Sequence, residues 1–166
     1  MDKQQFRDTM ARLGAAISIV ASNGEAGLAG CTVSAICSVT DDPPTLLICL
    51  NRASRNNSVF RQNGRVCVNI LAAQHEELAR AFSAAEKPVE DRFASGAWAV
   101  AANGCPSLQG ASASIECDIS EISEIGSHSV FFCRVTAART SATGDGLIYF
   151  GRAFYPIGPA TLNVAL

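Results

Sequence analysis

Short apolar runs of strand length, separated by turn residues, restrict the fold of this chain more than any other feature. They provide six or seven predicted strands, accompanied by only three short helical patterns. Strands and helices do not alternate regularly, which excludes a doubly wound parallel α/β sheet. A closed antiparallel β-barrel with peripheral helices fits this order better. The predicted strands are residues 16–22, 30–40, 45–50, 65–71, 114–120, 128–138 and 146–157.

Three of these strands carry more specific expectations. In 114–120, apolar residues alternate with acidic ones, and the phase shifts at Ile122, which predicts a bulge or a bend. The run 45–50 is apolar almost throughout, so we expect it to be buried on both faces. The stretch 30–40 is expected to be one strand ended by DDPP (41–44), because proline cannot donate to a strand ladder.

The helical patterns are short and have recognisable ends. Ser54 is typical of a helix N-cap, and Gly64 is typical of a C-terminal stop. Residues 87–110 are expected to be irregular, with one short strand near Trp98. The predicted helices cover residues 4–13, 54–63 and 75–86.

Length, charge and cysteine content narrow the class of protein. A chain of 166 residues favours one domain over 1–166. Its net charge of −2 gives no basic surface for nucleic acid or anionic membranes, and no apolar run reaches the length of a membrane span. The N-terminus shows no signal-peptide pattern. Seven scattered cysteines without a CxxC pair do not favour a metal site and suit buried thiols in the cytoplasm.

No standard catalytic motif occurs in the chain. It contains no GxSxG, no P-loop and no GxGxxG, and His75 and His128 are its only histidines. A protein this poor in acid–base groups can still be an enzyme if a cofactor carries the chemistry.

The stretch GCTVSAICSVT (30–40) is unusually small and rich in hydroxyl groups for a strand. Small side chains leave a groove, and free backbone amides together with serine and threonine hydroxyls can hydrogen-bond a planar heteroaromatic ring. The alternative is a strand that packs closely against another backbone, where only small residues fit.

A second feature follows about 20 residues later along the chain, where Arg52 and Arg55 flank the predicted helix start at Ser54. A helix N-terminus presents free N–H groups and attracts phosphate, and arginine adds charge-assisted hydrogen bonds. The alternative is an ordinary capped helix with solvated arginines. Taken together, a strand that accepts a ring and a helix start that accepts phosphate indicate a flavin mononucleotide site.

Five segments follow one another in a recognisable order: FRDTMARLGAAISIVAS, GCTVSAICSVTDDPPTLLICLNRASRN, RVCVNIL, GSH (126–128) and GLIYFGRAFYP. With these segments, the chain resembles the flavin reductase family, which includes the reductase components of two-component flavin monooxygenases such as 4-hydroxyphenylacetate 3-monooxygenase. The resemblance covers about residues 5–157.

This resemblance implies a mainly β fold, a Greek-key FMN-binding split barrel, and a homodimer. It implies hydride transfer from NADH or NADPH to FMN or FAD, with the reduced flavin passed to a partner oxygenase. His128 would lie near the nicotinamide and the flavin as the catalytic residue. The cofactor-binding residues that it implies are Thr32, Val33, Ser34, Ala35, Cys37, Ser38 and Val39 at the ring and ribityl chain, Asn51, Ser54 and Arg55 near the phosphate, and Phe93 and Tyr155.

Several alternatives stay open at this level. His128 and Phe93 have purely structural interpretations, as a hydrogen-bonded histidine and as a core aromatic residue. The electron acceptor could be a corrinoid cobalt centre in cobalamin biosynthesis rather than an oxygenase system. The chain could also be a non-enzymatic FMN-binding electron carrier, or a β-barrel interaction domain without flavin. Nothing in the residues separates FMN from FAD or NADH from NADPH.

Overall fold

The computed structural model describes residues 1–158, which form mainly antiparallel β-structure with four short helices. The strands are Ala15–Ala16 (β1), Ser18–Ser22 (β2), Ala29–Val33 (β3), Ile36–Asp41 (β4), Pro44–Asn51 (β5), Arg65–Ile70 (β6), Trp98–Val100 (β7), Pro106–Leu108 (β8), Ala113–Ile125 (β9), His128–Thr140 (β10), Gly146–Phe150 (β11) and Ala153–Ile157 (β12). The helices are Lys3–Met10 (α1), Arg55–Asn63 (α2), Glu76–Ser83 (α3) and Val89–Ala94 (α4).

Seven strands form the main sheet, in the order β3-β2-β6-β9-β10-β5-β4. Apolar residues from strands along the whole width of this sheet pack into one core, among them Val33, Ile48, Val68 and Phe131. A sheet whose outer strands share a core with its central strands must wrap around that core, as in a barrel. The mainly β, split-barrel architecture with peripheral helices is therefore confirmed.

A second apolar core lies outside the barrel, beneath α3. It joins Ile19 of β2 and Leu71 to Leu78 and Phe82 of α3. A three-stranded sheet, β1-β11-β12, and the small β7-β8 pair border this region. The second core thereby fixes α3 and the β11-β12 hairpin relative to the barrel wall.

The stretch 30–40 is two strands, so the prediction of a single strand was wrong. Val33 pairs with Ser18 of β2 at one edge of the main sheet, whereas Ile36 pairs with Ile48 of β5 at the other edge. The connecting residues, Ser34 and Ala35, cross between these two edges. A change of pairing partner cannot be read from the sequence, because both halves have strand-like residues.

The run 146–157 is a hairpin rather than one strand. Gly151 and Arg152 both have positive φ, of 57° and 67°, as a two-residue turn that reverses the chain requires. Glycine adopts this conformation readily, whereas arginine does so rarely. In the sequence, Gly151 is therefore typical of a turn, but Arg152 is not.

Two other expectations were wrong in part. The run 45–50 buries Leu46, Ile48 and Leu50, but the alternate side chains are only half-buried, so one face is not fully covered. Residues 87–110 contain α4, β7 and β8 rather than one short strand. These elements are too short to show a clear periodicity.

The predicted ends of α2 and the predicted bulge are confirmed. Ser54 Oγ accepts a hydrogen bond from the N–H of Asn56, and Gly64 closes the helix with φ of 67°. The β9-β10 register shifts between Phe132 and Cys133, where Ser120 is left without a partner. The change of phase in the sequence near Ile122 thus marks a real irregularity in the strand.

His75 is half-buried at the end of a short 3₁₀ turn, 73–75. Its Nδ1 accepts a hydrogen bond from the N–H of Ala72 at 3.1 Å, which requires that nitrogen to be unprotonated. Burial lowers the pKa of His75 below its ordinary value of 6.5, although Asp145 opposes the shift.

We expect this histidine to make the fold sensitive to mild acid. The pKa of His75 is lower in the folded than in the unfolded protein. The contribution of this histidine to the stability of the fold is therefore complete above the unfolded pKa of 6.5 and is lost as pH falls through the folded pKa. Urea unfolding of the wild-type protein and of His75→Asn at pH 7.5 and about 5.5 measures this effect. Between the two pH values, His75→Asn should lose less free energy of unfolding than the wild type, because its amide oxygen can replace Nδ1 and does not become protonated. An identical pH dependence in both proteins would contradict this role.

Candidate functional site

Two neighbouring clefts open on either side of Glu86, in the segment that follows α3. Cleft A has a volume of about 590 Å³, and its lining residues include Thr32, Ser34, Arg80, Glu86, Tyr149 and Arg152. Cleft B has a volume of about 480 Å³, and its lining residues include Asn51, Ser54, Arg55, Glu86, Lys87 and Arg92. Thr32 and Ser34 of the predicted ring contacts thus line cleft A, and the predicted phosphate contacts Asn51, Ser54 and Arg55 line the adjoining cleft B.

The first half of the hydroxyl-rich stretch forms part of the wall of cleft A. Thr32 Oγ1 donates to the carbonyl of Ala79 at 2.7 Å, which fixes its orientation against α3. Val33 is buried in the barrel core, whereas Ser34 and Ala35 are exposed. No acceptor within residues 1–158 takes the N–H of Ser34 or Ala35. These two amides are therefore available to a polar ligand.

The second half of that stretch is the exposed edge strand β4. Cys37, Ser38 and Val39 are all exposed and line neither cleft. Because β4 pairs only with β5, alternate amides on its outer side have no strand partner. Unlike Thr32, these residues are open to solvent.

The start of α2 forms one wall of cleft B. Asn51 Oδ1 accepts from the N–H of Ala53 at 2.9 Å, and Ser54 caps the helix. The N–H of Arg55 has no acceptor within the described residues. Arg52 is turned away: it donates to the carbonyl of Gly126 and pairs with Glu124 at 3.4 Å. Of the two predicted arginines, only Arg55 lines the cleft.

A polar network holds this helix start in place. Buried Asn57 donates to Ser129 Oγ at 3.0 Å and to the carbonyl of Leu50 at 3.3 Å, which ties α2 to β5 and β10. Arg61 forms an ion pair with Glu124. Desolvation raises the pKa of Glu124, but hydrogen bonds from Arg61 and Ser129 outweigh it and lower the pKa overall.

His128 lies beside cleft B rather than in it. It is the first residue of β10 and faces Asn51 across the β5-β10 ladder. Its side chain is exposed, and Nδ1 lies 3.0 Å from Ser127 Oγ. The register therefore brings His128 close to a predicted flavin contact, although their positions differ by 77 residues (128 − 51) in the sequence.

The two predicted aromatic residues are outside both clefts. Phe93 packs edge-to-face on Phe82, with ring centroids 4.9 Å apart, and also contacts Trp98. Tyr155 is exposed on β12, whereas its neighbour Phe154 lines cleft A together with Tyr149. Successive side chains of β12 lie on opposite faces of the strand, which explains why Phe154 lines the cleft and Tyr155 does not. This assignment can be made only once the run 146–157 is known to be a hairpin.

Sequence reasoning missed Arg92 entirely. Its side chain lines cleft B yet is only 8% exposed, which is rare for an arginine. The sequence shows it only as the third residue of EDRF in a segment expected to be irregular. Burial of a single charged residue in a short helix leaves no periodic signal.

Within residues 1–158, no helix combines the length and apolar content needed to span a bilayer. The same part of the chain contains no group of three or more His, Cys, Asp or Glu side chains arranged to hold a metal ion. What the site does offer is unpaired amide donors, a helix start and several cations. These groups can bind a polar ring and an anion, and they provide no acid–base pair for hydrolysis.

Comparison with known proteins points to one family. A family model described as a flavin reductase like domain matches residues 10–158. The chain is 48% identical to FMN reductase (NADH) RutF of Yersinia enterocolitica, over 95% of this chain and 86% of the relative. It is also 48% identical to the 4-hydroxyphenylacetate 3-monooxygenase reductase component of Pseudomonas aeruginosa, over 92% of this chain and 91% of the relative.

A solved structure gives the same picture. The NADH:FAD oxidoreductase SgcE6 of Streptomyces globisporus, in complex with NAD and FAD fragments, superposes with a TM-score of 0.88. The match covers 96% of this chain and 95% of SgcE6, at 27% sequence identity.

Proposed function

Because this chain belongs to the flavin reductase-like domain family, we propose that it transfers a hydride from NADH or NADPH to FMN or FAD and supplies the reduced flavin to a partner oxygenase. The observation that carries the proposal is the position of the unpaired amides of Ser34 and Ala35 beside two adjoining clefts. One cleft begins at these donors, and the other contains a helix start and three cationic side chains.

The residues present fit a flavin. Donors around residues 34–38 suit the polar edge of the ring, where negative charge develops when the flavin is reduced. Asn51, Ser54 and Arg55 suit a phosphate, because the N–H of Arg55 is unpaired and its guanidinium lines the same cleft. We propose these roles for the predicted residues of the stretch, Thr32 to Ala35 and Cys37 to Val39, with Val33 contributing through its backbone since its side chain is buried.

The chain's own contribution to the reaction is binding and orientation. When bound, the flavin accepts the hydride, which requires the two reacting rings to approach to ~3–3.5 Å. Thr32 is held by Ala79, and α2 is held by Asn57, so the groups that position the ligand are themselves fixed. His128, next to Asn51 in the register, is proposed to hydrogen-bond at the nicotinamide end. No general base is needed for the step.

Phe93 and Tyr155 have more limited proposed roles. Phe93 packs behind Gly30 and would support the wall of the site rather than touch the flavin. Tyr155 is exposed and would reach the flavin only from the outside, for instance across a subunit interface.

The direct test is steady-state NADH oxidation by flavin-stripped protein while FMN, and then FAD, is titrated. Saturation far above the enzyme concentration, with free reduced flavin accumulating, supports a reductase that feeds an oxygenase. Tight stoichiometric binding with slow turnover favours the electron-carrier alternative, and a corrinoid would then be the next acceptor to test. Neither binding nor turnover would refute the proposal and favour a flavin-free interaction domain.

We further propose that the chain is a homodimer. Phe6 and Met10 of α1, and Leu13 three residues beyond the end of this helix, are 54%, 43% and 64% exposed, and α1 buries none of its residues. An apolar face of this kind on the surface is typical of an interaction site.

Light scattering coupled to size-exclusion chromatography should show that the wild-type protein is a dimer. The double variant Met10→Glu/Leu13→Glu should be a monomer, and the control Gln5→Glu, on α1, should remain a dimer. The charged variant opposes burial of the face, whereas the control changes a residue outside it. A monomeric wild-type protein at micromolar concentration would contradict the proposal.

We also propose a cytoplasmic location and a single domain over 1–166. All seven cysteines are free thiols, and five of them are buried, which suits a reducing compartment. The two apolar cores adjoin each other along β2, which supplies Val20 to one and Ile19 to the other, so the described residues favour one folding unit.

A further inference from the structure

Arg92 is a buried cation without a counter-ion. Its Nη1 donates to the carbonyl of Gly30 at 2.9 Å, but its buried Nε has no hydrogen-bond partner. No carboxylate within residues 1–158 forms a salt bridge with it. A guanidinium stays charged in proteins, and a buried charge without a partner is strongly unfavourable. An anion bound next to this side chain would therefore stabilise it, and the described residues do not supply one.

The thiol of Cys31 cannot be that anion. Burial raises the pKa of Cys31 to about 12, although the charge of Arg92 opposes the shift, so the thiol stays neutral.

Cleft B, which Arg92 lines, is suited to an anion from outside. Arg55 and Lys87 line the same cleft, and the N–H of Arg55 at the start of the nine-residue helix α2 is unpaired. Glu86 is the one carboxylate among the residues that line it. Three cations, a helix start and a single carboxylate favour a compact, doubly charged group such as a phosphate monoester.

We propose that Arg92 is the buried counter-ion of the flavin phosphate and that it makes this protein prefer phosphorylated flavins to riboflavin. The inference rests on the proposed function and adds a residue and a selectivity to it. Arg92 contacts the phosphate from the α4 side of cleft B, opposite the start of α2. The flavin ring lies elsewhere in the site, so Arg92 has little effect on the binding of a flavin that lacks phosphate.

Equilibrium binding of FMN and riboflavin, followed by quenching of flavin fluorescence, tests this assignment. We expect Arg92→Gln to raise the Kd of FMN by about 10- to 50-fold and that of riboflavin by less than about threefold. Arg92→Lys keeps the charge but loses the fork of donors, so its loss should be intermediate. Arg134→Gln removes a charge from an exposed position outside cleft B and should change neither Kd. Glu86→Gln should tighten FMN binding, because it removes the one carboxylate among the residues that line cleft B.

Two further measurements use the wild-type protein and do not depend on variants that fold. Inorganic phosphate at millimolar concentration should raise the thermal midpoint, and it should compete with FMN more strongly than with riboflavin. Equal affinity for FMN and riboflavin, or an equal loss of both in Arg92→Gln, overturns the role of Arg92 but leaves flavin reduction intact. A wild-type protein that binds neither flavin overturns the proposed function as well.

Discussion

Ser54→Asp is expected to raise the KM for FMN by about 100-fold while changing the KM for riboflavin by less than about threefold. Aspartate caps a helix as well as serine does, so α2 should keep its first turn. The new carboxylate would face the proposed phosphate in cleft B, which Ser54 lines. Two negative charges about 4–5 Å apart repel by roughly 3–4 kcal/mol at an effective dielectric constant near 20. Solvent screening reduces this repulsion to about the free energy that corresponds to a 100-fold weaker binding of FMN.

Ser54→Asn is the matched control, because asparagine caps equally well without adding charge. Its KM for FMN should stay within about threefold of wild type. Steady-state NADH oxidation with each flavin, together with fluorescence titration, separates binding from turnover. If Ser54→Asp raises the KM for FMN and for riboflavin equally, the start of α2 has moved. If Ser54→Asp leaves the KM for FMN unchanged, the phosphate lies outside cleft B.

Asn69→Ala is expected to lower the free energy of unfolding by about 3 kcal/mol and the thermal midpoint by roughly 6–12 °C. Asn69 in β6 is completely buried. Its Nδ2 donates to the carbonyls of Ile19 and Pro106, each at 3.2 Å. Its Oδ1 accepts from the N–H of Leu108 at 2.8 Å and from Ser114 Oγ at 3.1 Å. Truncation leaves these buried groups without partners, and each lost partner costs about 1–3 kcal/mol before the structure relaxes.

Asn69 joins β2, β8 and β9 to β6 through one side chain, so its loss should also loosen the β7-β8 pair. Asn23→Ala is the control, because Asn23 is exposed and its side chain makes no hydrogen bond within residues 1–158. Urea unfolding of both variants measures the difference. A loss below about 1 kcal/mol for Asn69→Ala would show that water or relaxation replaces these bonds.

Local features of this protein could be predicted from the sequence because their causes are local. A serine oxygen reaches the amide two residues ahead, so Ser54 marks the start of α2 wherever the helix packs. Gly64 tolerates a positive φ at the helix end, and the alternation in β9 reveals its buried face. The hydroxyl-rich stretch was identified for a similar reason: small side chains on a strand leave backbone groups accessible.

The same stretch shows where local reasoning ends. Its composition predicts a strand, but only the tertiary structure places its halves at opposite edges of the main sheet and leaves Ser34 and Ala35 between them. The resemblance to flavin reductases indicated a site at these residues and at Asn51. It did not show that Ser34 lines one cleft and Asn51 another, with Glu86 shared by both.

The sequence by itself determined the class of fold, the ends of α2 and the small, hydroxyl-rich character of the stretch 30–40, since each depends on residues that are neighbours in the chain or on the same face of one element. Only the tertiary structure decided that Asn69 would be a buried junction and that Arg92 would be a buried cation facing cleft B. Burial and pairing depend on which distant elements pack together, and an isolated asparagine or arginine in a short segment looks like any surface residue until that packing is known.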